Sequence, residues 1–193
     1  MSRYIAFLTA VFFLAISAVA QVQNWQIDPN HTAAQFSVRH MGISTVRGAF
    51  TKVSGTAQYD PANPTKSSID VTIDADSVDT RVSMRDNDLR SPNFFEVAKY
   101  PTITFKSKSV QPAGEGKLKI IGDLTIHGVT KEVTLDVDGP SASVTDPKGN
   151  SHIGASGSTK INRKDFGVGT NPMVGDEVTI TIDVELVPKA QAS

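Results

Sequence analysis

Cysteine is absent from the sequence. Its absence excludes disulfide bonds, thiolate nucleophiles and cysteine metal sites, and a lipid-modified N-terminal cysteine with them. An excess of one charge is missing as well: 19 Lys and Arg stand against 20 Asp and Glu, a formal charge of -1. No segment carries a dominant Lys/Arg stripe, so nothing points to nucleic acid as a partner. There is no internal repeat and no stretch with the composition of an interdomain linker. Beyond residue 20 no apolar run is long enough to cross a bilayer as a helix. In 193 residues these absences leave a single domain with enough chain to bury a core.

The one long apolar run stands at the N-terminus. Arg3 supplies a positive start, Ile5 to Ala18 are almost uninterrupted apolar residues, and Ala18-Val19-Ala20 has the small-x-small form of a cleavage site before Gln21. The pattern predicts a cleaved signal peptide over 1–20, a single domain over 21–193, and a periplasmic or secreted product. An uncleaved anchor is the competing reading, and the run is short for a bilayer span.

From there on the main signal is alternation with period two. Ala34, Phe36, Val38 and His40 share one face of a strand, Ile69, Val71 and Ile73 another, and Val133, Leu135 and Val137 a third. Val178, Ile180, Ile182, Val184 and Leu186 alternate with Thr179, Thr181, Asp183 and Glu185. One apolar and one polar face per strand is the mark of antiparallel sheet wetted on one side. Proline- and glycine-rich clusters separate the strands, and His127-Gly128 is placed as a short hairpin turn. A long strand is expected over Ser44 to Tyr59, its Gly48 and Gly55 read as a bulge or barrel corner. A sandwich and a barrel of about eight strands both satisfy the pattern; a barrel has the advantage of leaving no exposed edge.

Asp79 to Phe105 breaks the β pattern. Ser83-Met84-Arg85-Asp86 has the form of a helix start, and Ser91-Pro92 that of a second one, an N-cap followed by proline. Two short helical pieces are expected, the second carrying Phe94, Phe95 and Val97 over one end of the sheet structure as a fixed cap rather than a mobile gate. Pro101 then returns the chain to a strand.

Catalytic and metal patterns are weak. His31, His40, His127 and His152 have neither the helical pairing nor the short strand spacing of a zinc site. Asp70 and Asp74 alternate with apolar residues on a solvated strand face, and no calcium-loop motif is present. Gly154-Ala155-Ser156-Gly157-Ser158 is not a nucleophile elbow, because the G-x-S-x-G spacing and the following helix are both missing. No metal, cofactor or catalytic set is expected from these residues.

Several islands in order carry a family likeness. They are Asp28-Pro29-Asn30-His31-Thr32 with Phe36-Ser37-Val38-Arg39-His40 and Val46-Arg47-Gly48-Ala49-Phe50, then Arg85-Asp86, Leu89-Arg90-Ser91 and Phe94-Phe95-Glu96-Val97 running into Tyr100-Pro101. Further on come Gly122 to Lys131, Ile161-Asn162-Arg163-Lys164-Asp165-Phe166-Gly167 and Val174-Gly175-Asp176-Glu177-Val178. Together they resemble the YceI family of exported bacterial proteins.

That resemblance implies an all-β fold, an extended antiparallel lipocalin-like barrel of about eight strands with a short helical insertion. It implies an apolar lumen that holds a long isoprenoid, a quinone or polyprenyl phosphate, or a similar fatty lipid; a non-enzymatic carrier is the leading expectation, with an enzyme acting on such a lipid and a ligand-free interaction module as the alternatives. An inner-membrane partner such as a cytochrome, and a homodimer, are further expectations of the likeness. On this reading Phe36, Val38, Phe50, Val71, Ile103 and Phe105 line the lumen, as do Ile73, Leu124, Leu135 and Ile180. Leu89, Phe94, Phe95 and Phe166 join them, and His40, Arg85 and Asn162 supply polar groups at its mouth. One position departs from the family: where its motif runs Arg-Asp-x-His-Leu, this chain has Asp88.

Overall fold

A computed structural model describes residues 22–190; the apolar run read as a signal peptide lies outside the described residues. The strands of the first half are β1 (Gln23–Ile27), β2 (Ala33–His40), β3 (Ser44–Phe50), β4 (Val53–Tyr59), β5 (Ser68–Asp74) and β6 (Val78–Asp79). The helix α1 (Ser83–Arg90) follows. The second half comprises β7 (Thr102–Pro112), β8 (Lys117–Ile126), β9 (Val129–Asp138), β10 (Val144–Thr145), β11 (Ser151–Asn162) and β12 (Val174–Pro188).

These stretches assemble into eight staves. β1 and β2 run in line along the same edge of β12, with Ile27 opposite Leu186 and Ala33 opposite Asp183. β3 and β4 form the second stave, beside β2 and β1. β5 and β6 form the third, beside β4 and β3. The staves β7, β8, β9, β11 and β12 follow in chain order, each antiparallel to the last, and the pairing of β12 with β1 and β2 closes the ring. β10 is a short ribbon attached to β11. An up-and-down barrel results, in agreement with the alternation read from the sequence; its thinnest seam is β9–β11, where only Asp136, Val137 and Asp138 pair with Ser158, Gly157 and Ser156.

The first three staves are each interrupted at the same level: at residues 28–32, at Thr51 and Lys52, and at the 3-10 turn Ala75–Ser77. The gaps are stitched by irregular bonds. Thr51 N donates to Ser77 O, Lys52 N to Ser77 Oγ, Asp28 N to Glu185 O, and Glu185 N to Thr32 Oγ1. The expected single strand Ser44 to Tyr59 is therefore two strands, and its bend falls at neither glycine. Gly48 instead pairs with Phe36, whose ring lies over it; a Cβ there would stand 2.5 Å from the ring.

The β8–β9 hairpin turns through His127 and Gly128 at φ 52° and 74°, the two positive values that a two-residue hairpin needs. The helical insertion differs from its expected form. Val82, not Ser83, is the N-cap residue of α1, and no side chain caps it. Asp86 is buried and accepts from Thr80 N and Oγ1 at 2.8 and 2.5 Å instead of returning to the helix start. Ser91 ends α1, its Oγ bonded to Asp88 O, and no second helix follows. The chain folds back through turns, with Phe95 N on Leu89 O and Val97 N on Arg90 O. Those bonds hold residues 91–100 against α1 over one end of the barrel.

Candidate functional site

Period-two alternation on eight staves turns one apolar face of each inward. Because the staves form a ring, those faces converge on one interior space, a cavity of about 230 Å3. Val71, Ile73, Ile103, Phe105, Leu124, Leu135 and Ile180 all line it. Among its lining residues Arg163 is the only charged side chain.

One end is closed by aromatic rings. Phe36 and Phe50 lie 5.8 Å apart, and Phe50 meets the edge of Phe95 at 5.7 Å. Phe94 is buried beside Gly169, which at φ 67° leaves room that a Cβ would take. Phe166, only 2 % exposed, and Leu89 complete the closure. The polar lining residues Gln58, Ser67 and Ser68 lie at the end of β4, in the β4–β5 connection and at the start of β5, at the opposite end.

Every apolar residue expected at the site, from Phe36 and Val38 to Phe166, lines this cavity. The three polar residues do not. His40 is the last residue of β2, paired with Ser44 and Val174, where the alternation has run past the cavity. Arg85 turns to Thr80, Nε on Oγ1 at 2.8 Å and an Nη on the carbonyl at 3.0 Å. Asn162 accepts from Lys164 N and so caps the 3-10 turn Arg163–Phe166. All three belong to the aromatic-plugged end, so none stands at an open mouth.

Arg163 is the functional residue that sequence reasoning passed over. Its guanidinium, 5 % exposed, donates to the carbonyls of Val168, Gly169, Asn171, Val174 and Gly175. That ties the loop after Phe166 to the barrel wall. Asp176 adds a contact at 3.4 Å. An arginine in a polar Asn-Arg-Lys-Asp run gives no sign of such burial, because its acceptors are backbone groups.

The histidines are also closer than their spacing suggests. On the outer wall, His31 Nδ1 lies 2.8 Å from Asp28 Oδ2 and 3.9 Å from Glu185 Oε1. His152 Nδ1 lies 2.7 Å from the same Glu185 oxygen, with its Nε2 3.4 Å from Asp146. Asp28, His31 and Glu185 are near enough for one cation to reach all three, while the His–Asp distance is that of a direct hydrogen bond. The hydrogen bond to Asp28, with the charges of Glu185 and Asp28, raises the His31 pKa. The hydrogen bond to Glu185 raises that of His152, burial opposing it, and Asp146 adds to the rise. Hydrogen bonds from His31 and Asn30 N lower Asp28, and those from the side chain and backbone of Asn150 hold Asp146 well below the carboxylate range.

Comparison with known proteins agrees with the geometry. A family model described as YceI-like domain matches residues 25–186. The chain belongs to the YceI family. Protein YceI of Salmonella arizonae is 38 % identical over 179 residues, covering 92 % of this chain and 93 % of that one. The crystal structure of Burkholderia cenocepacia BcnA superposes with a TM-score of 0.74 at 29 % identity, covering 82 % of this chain and 98 % of BcnA. A polyisoprenoid binding domain from Saccharophagus degradans, implicated in plant cell wall breakdown, shares the fold at a TM-score of 0.62 and 16 % identity, over 88 % of this chain and all of that domain.

Several islands that carry the YceI likeness prove to be fasteners. Asp86 anchors α1 on Thr80, Arg163 gathers the loop after Phe166, and Gly122 and Gly128 lie under the rings of Phe105 and Tyr100. Asp88 accepts from Asn93 Nδ2 at 2.8 Å and pins the turn after α1.

Proposed function

We propose that this YceI protein is a carrier that holds the apolar chain of one long isoprenoid, a quinone or polyprenyl phosphate, or a similar lipid. The observation that supports the reading is an interior cavity lined by carbon whose one charged side chain is already spent on backbone carbonyls. Such a space rewards removal of hydrocarbon from water, at roughly 0.8 kcal/mol per methylene, with a few neutral polar side chains such as Gln58, Ser67 and Ser68 at one end. The walls are long enough for an extended chain to lie along them: ten-residue staves such as β8 and β9 span roughly 33 Å along the strand, less along the barrel axis because of tilt. The shared fold of a domain described as binding polyisoprenoid favours the same ligand class. No acid–base pair lines the cavity, which favours carriage over catalysis. The N-terminal apolar run with its Ala-x-Ala site favours work in the periplasm or outside the cell.

The test is extraction. Protein purified from its own host under lipid-preserving conditions should release one class of long-chain lipid, found by mass spectrometry, at about one molecule per barrel. An apo mass under the same conditions overturns the reading. Titration can follow Trp25, the one tryptophan, buried in β1 two residues from the cavity-lining Ile27.

A further inference from the structure

The outside of the barrel carries a second apolar feature. Of the large hydrophobic side chains exposed among the described residues, Met41, Ile43, Val82, Met84 and Met173 belong to the plugged end; Val22 and Val144 belong to the other. Met41 and Ile43 form the tip of the β2–β3 hairpin and are 58 % and 78 % exposed. Met173 is joined to them by the bond from Met41 N to Met173 O. Val82 and Met84 lie at the start of α1 at this same end, reached through Thr80, which packs against Gly48 of β3. Met41 holds φ 51°, a left-handed turn position at which Asn or Gly would be the relaxed choice. Folding alone does not ask for a bare methionine there.

Charge frames the patch. From Pro29 to Tyr59 the chain has no acidic residue. Arg39 folds across the hairpin tip, its two Nη groups on Thr45 Oγ1 and Gly42 O. Arg47 and Arg81 are exposed beside it. Arginine ion pairs among the described residues are confined to Arg90–Asp76 and Arg163–Asp176, so Arg39, Arg47 and Arg81 have no carboxylate partner there. Most carboxylates of this end already have partners: Asp79 with Arg81 N, Asp86 with Thr80, Asp88 with Asn93, Glu96 with His127, Asp176 with Lys164 and Glu177 with Lys160, Asp165 being the exposed exception among the described residues.

We propose that this end docks on an anionic lipid bilayer, the tips of Met41, Ile43 and Met84 entering the acyl boundary while Arg39, Arg47 and Arg81 meet the headgroup charge. A second copy of the chain is the poorer occupant, because pairing two such ends sets uncompensated arginines against one another. Docking and carriage are separable: the surface lies outside the cavity and needs no ligand within it.

Flotation with vesicles tests the proposal, using phosphatidylcholine alone and phosphatidylcholine with phosphatidylglycerol. Binding should require the anionic lipid and fall in high salt. Ile43→Asp should weaken it about tenfold or more, and Arg47→Ser about fivefold. Val144→Asp, at the other end, should leave it unchanged. The readout is the difference between variants of one chain, so any contribution of residues 1–20 cancels. Thermal melting checks that Ile43→Asp folds, and Met84→Asp provides a second, independent variant. Binding indifferent to anionic lipid, or unaltered by both apolar substitutions, overturns the proposal. So does a lipid-free dimer that Ile43→Asp dissolves, which would assign the patch to a second copy. Bound lipid measured in the same samples separates the two ideas: lipid retained without docking sinks the docking surface alone, and docking by an empty barrel sinks the carrier reading alone.

Discussion

The Arg163 guanidinium meets five carbonyl oxygens at once, a task that the three donors of a lysine ammonium cannot take over. Arg163→Ala should cost roughly 3–5 kcal/mol, the scale of removing one partner from a buried charged network, and Arg163→Lys should recover little of it; urea unfolding reads both. His152 and His31 act at the same scale. Each has a pKa raised in the fold, so each stabilises fully below about pH 6.5 and loses that contribution as pH rises through the folded value. Asp28 and Asp146, lowered, do the reverse: their contribution is present above about pH 4 and is lost in acid. The melting temperature should therefore fall between pH 6 and pH 8, and fall less in His152→Gln. Neither effect was legible in the sequence. A residue's type and spacing were visible there, but not the partners that β11 and β12 bring to Glu185 from more than thirty residues away.

The turns after α1 behave as an element in their own right. Phe94 and Phe95 are set by the backbone bonds to Leu89, Arg90 and Ser91, and Phe94 is buried against Gly169. These contacts support the reading of a fixed plug. Phe94→Ala should destabilise by about 3 kcal/mol, and the Phe94→Ala, Phe95→Ala pair should lose thermal stability while retaining bound lipid; a drop in retention at unchanged stability would make the element a gate. The sequence placed these rings over a barrel end because aromatic clustering is a local property. It misplaced the second helix because Ser91-Pro92 suits a helix start and a turn equally, and only the return to Leu89 and Arg90 decides between them. Direction failed in the same way for His40, Arg85 and Asn162, whose nearness to strand ends was visible while the fact that this end is closed was not.

For the whole molecule, alternation carried most of the information. A period of two repeated on staves that pair with their chain neighbours already specifies one apolar inner face, which is why the lining from Phe36 to Ile180 could be read without coordinates. Filling that interior should separate carriage from folding: Ile180→Phe adds bulk inside the cavity, so lipid retention should drop several-fold with a melting temperature within a few degrees of the parent, as extraction and calorimetry would show. The breaks in the first three staves were not legible, since a ladder stops where its neighbour stops. Their alignment has a mechanical result. The tube has a crease across three of its eight walls, held by scattered backbone and side-chain bonds, while the remaining five walls are single strands. Opening there breaks few ladder bonds, so in hydrogen exchange the amides flanking 28–32, 51–52 and 75–77 should open together and well ahead of those in the β7–β8 ladder. The barrel would then flex as a sleeve bends at a seam, one wall shortening while the opposite wall keeps its length.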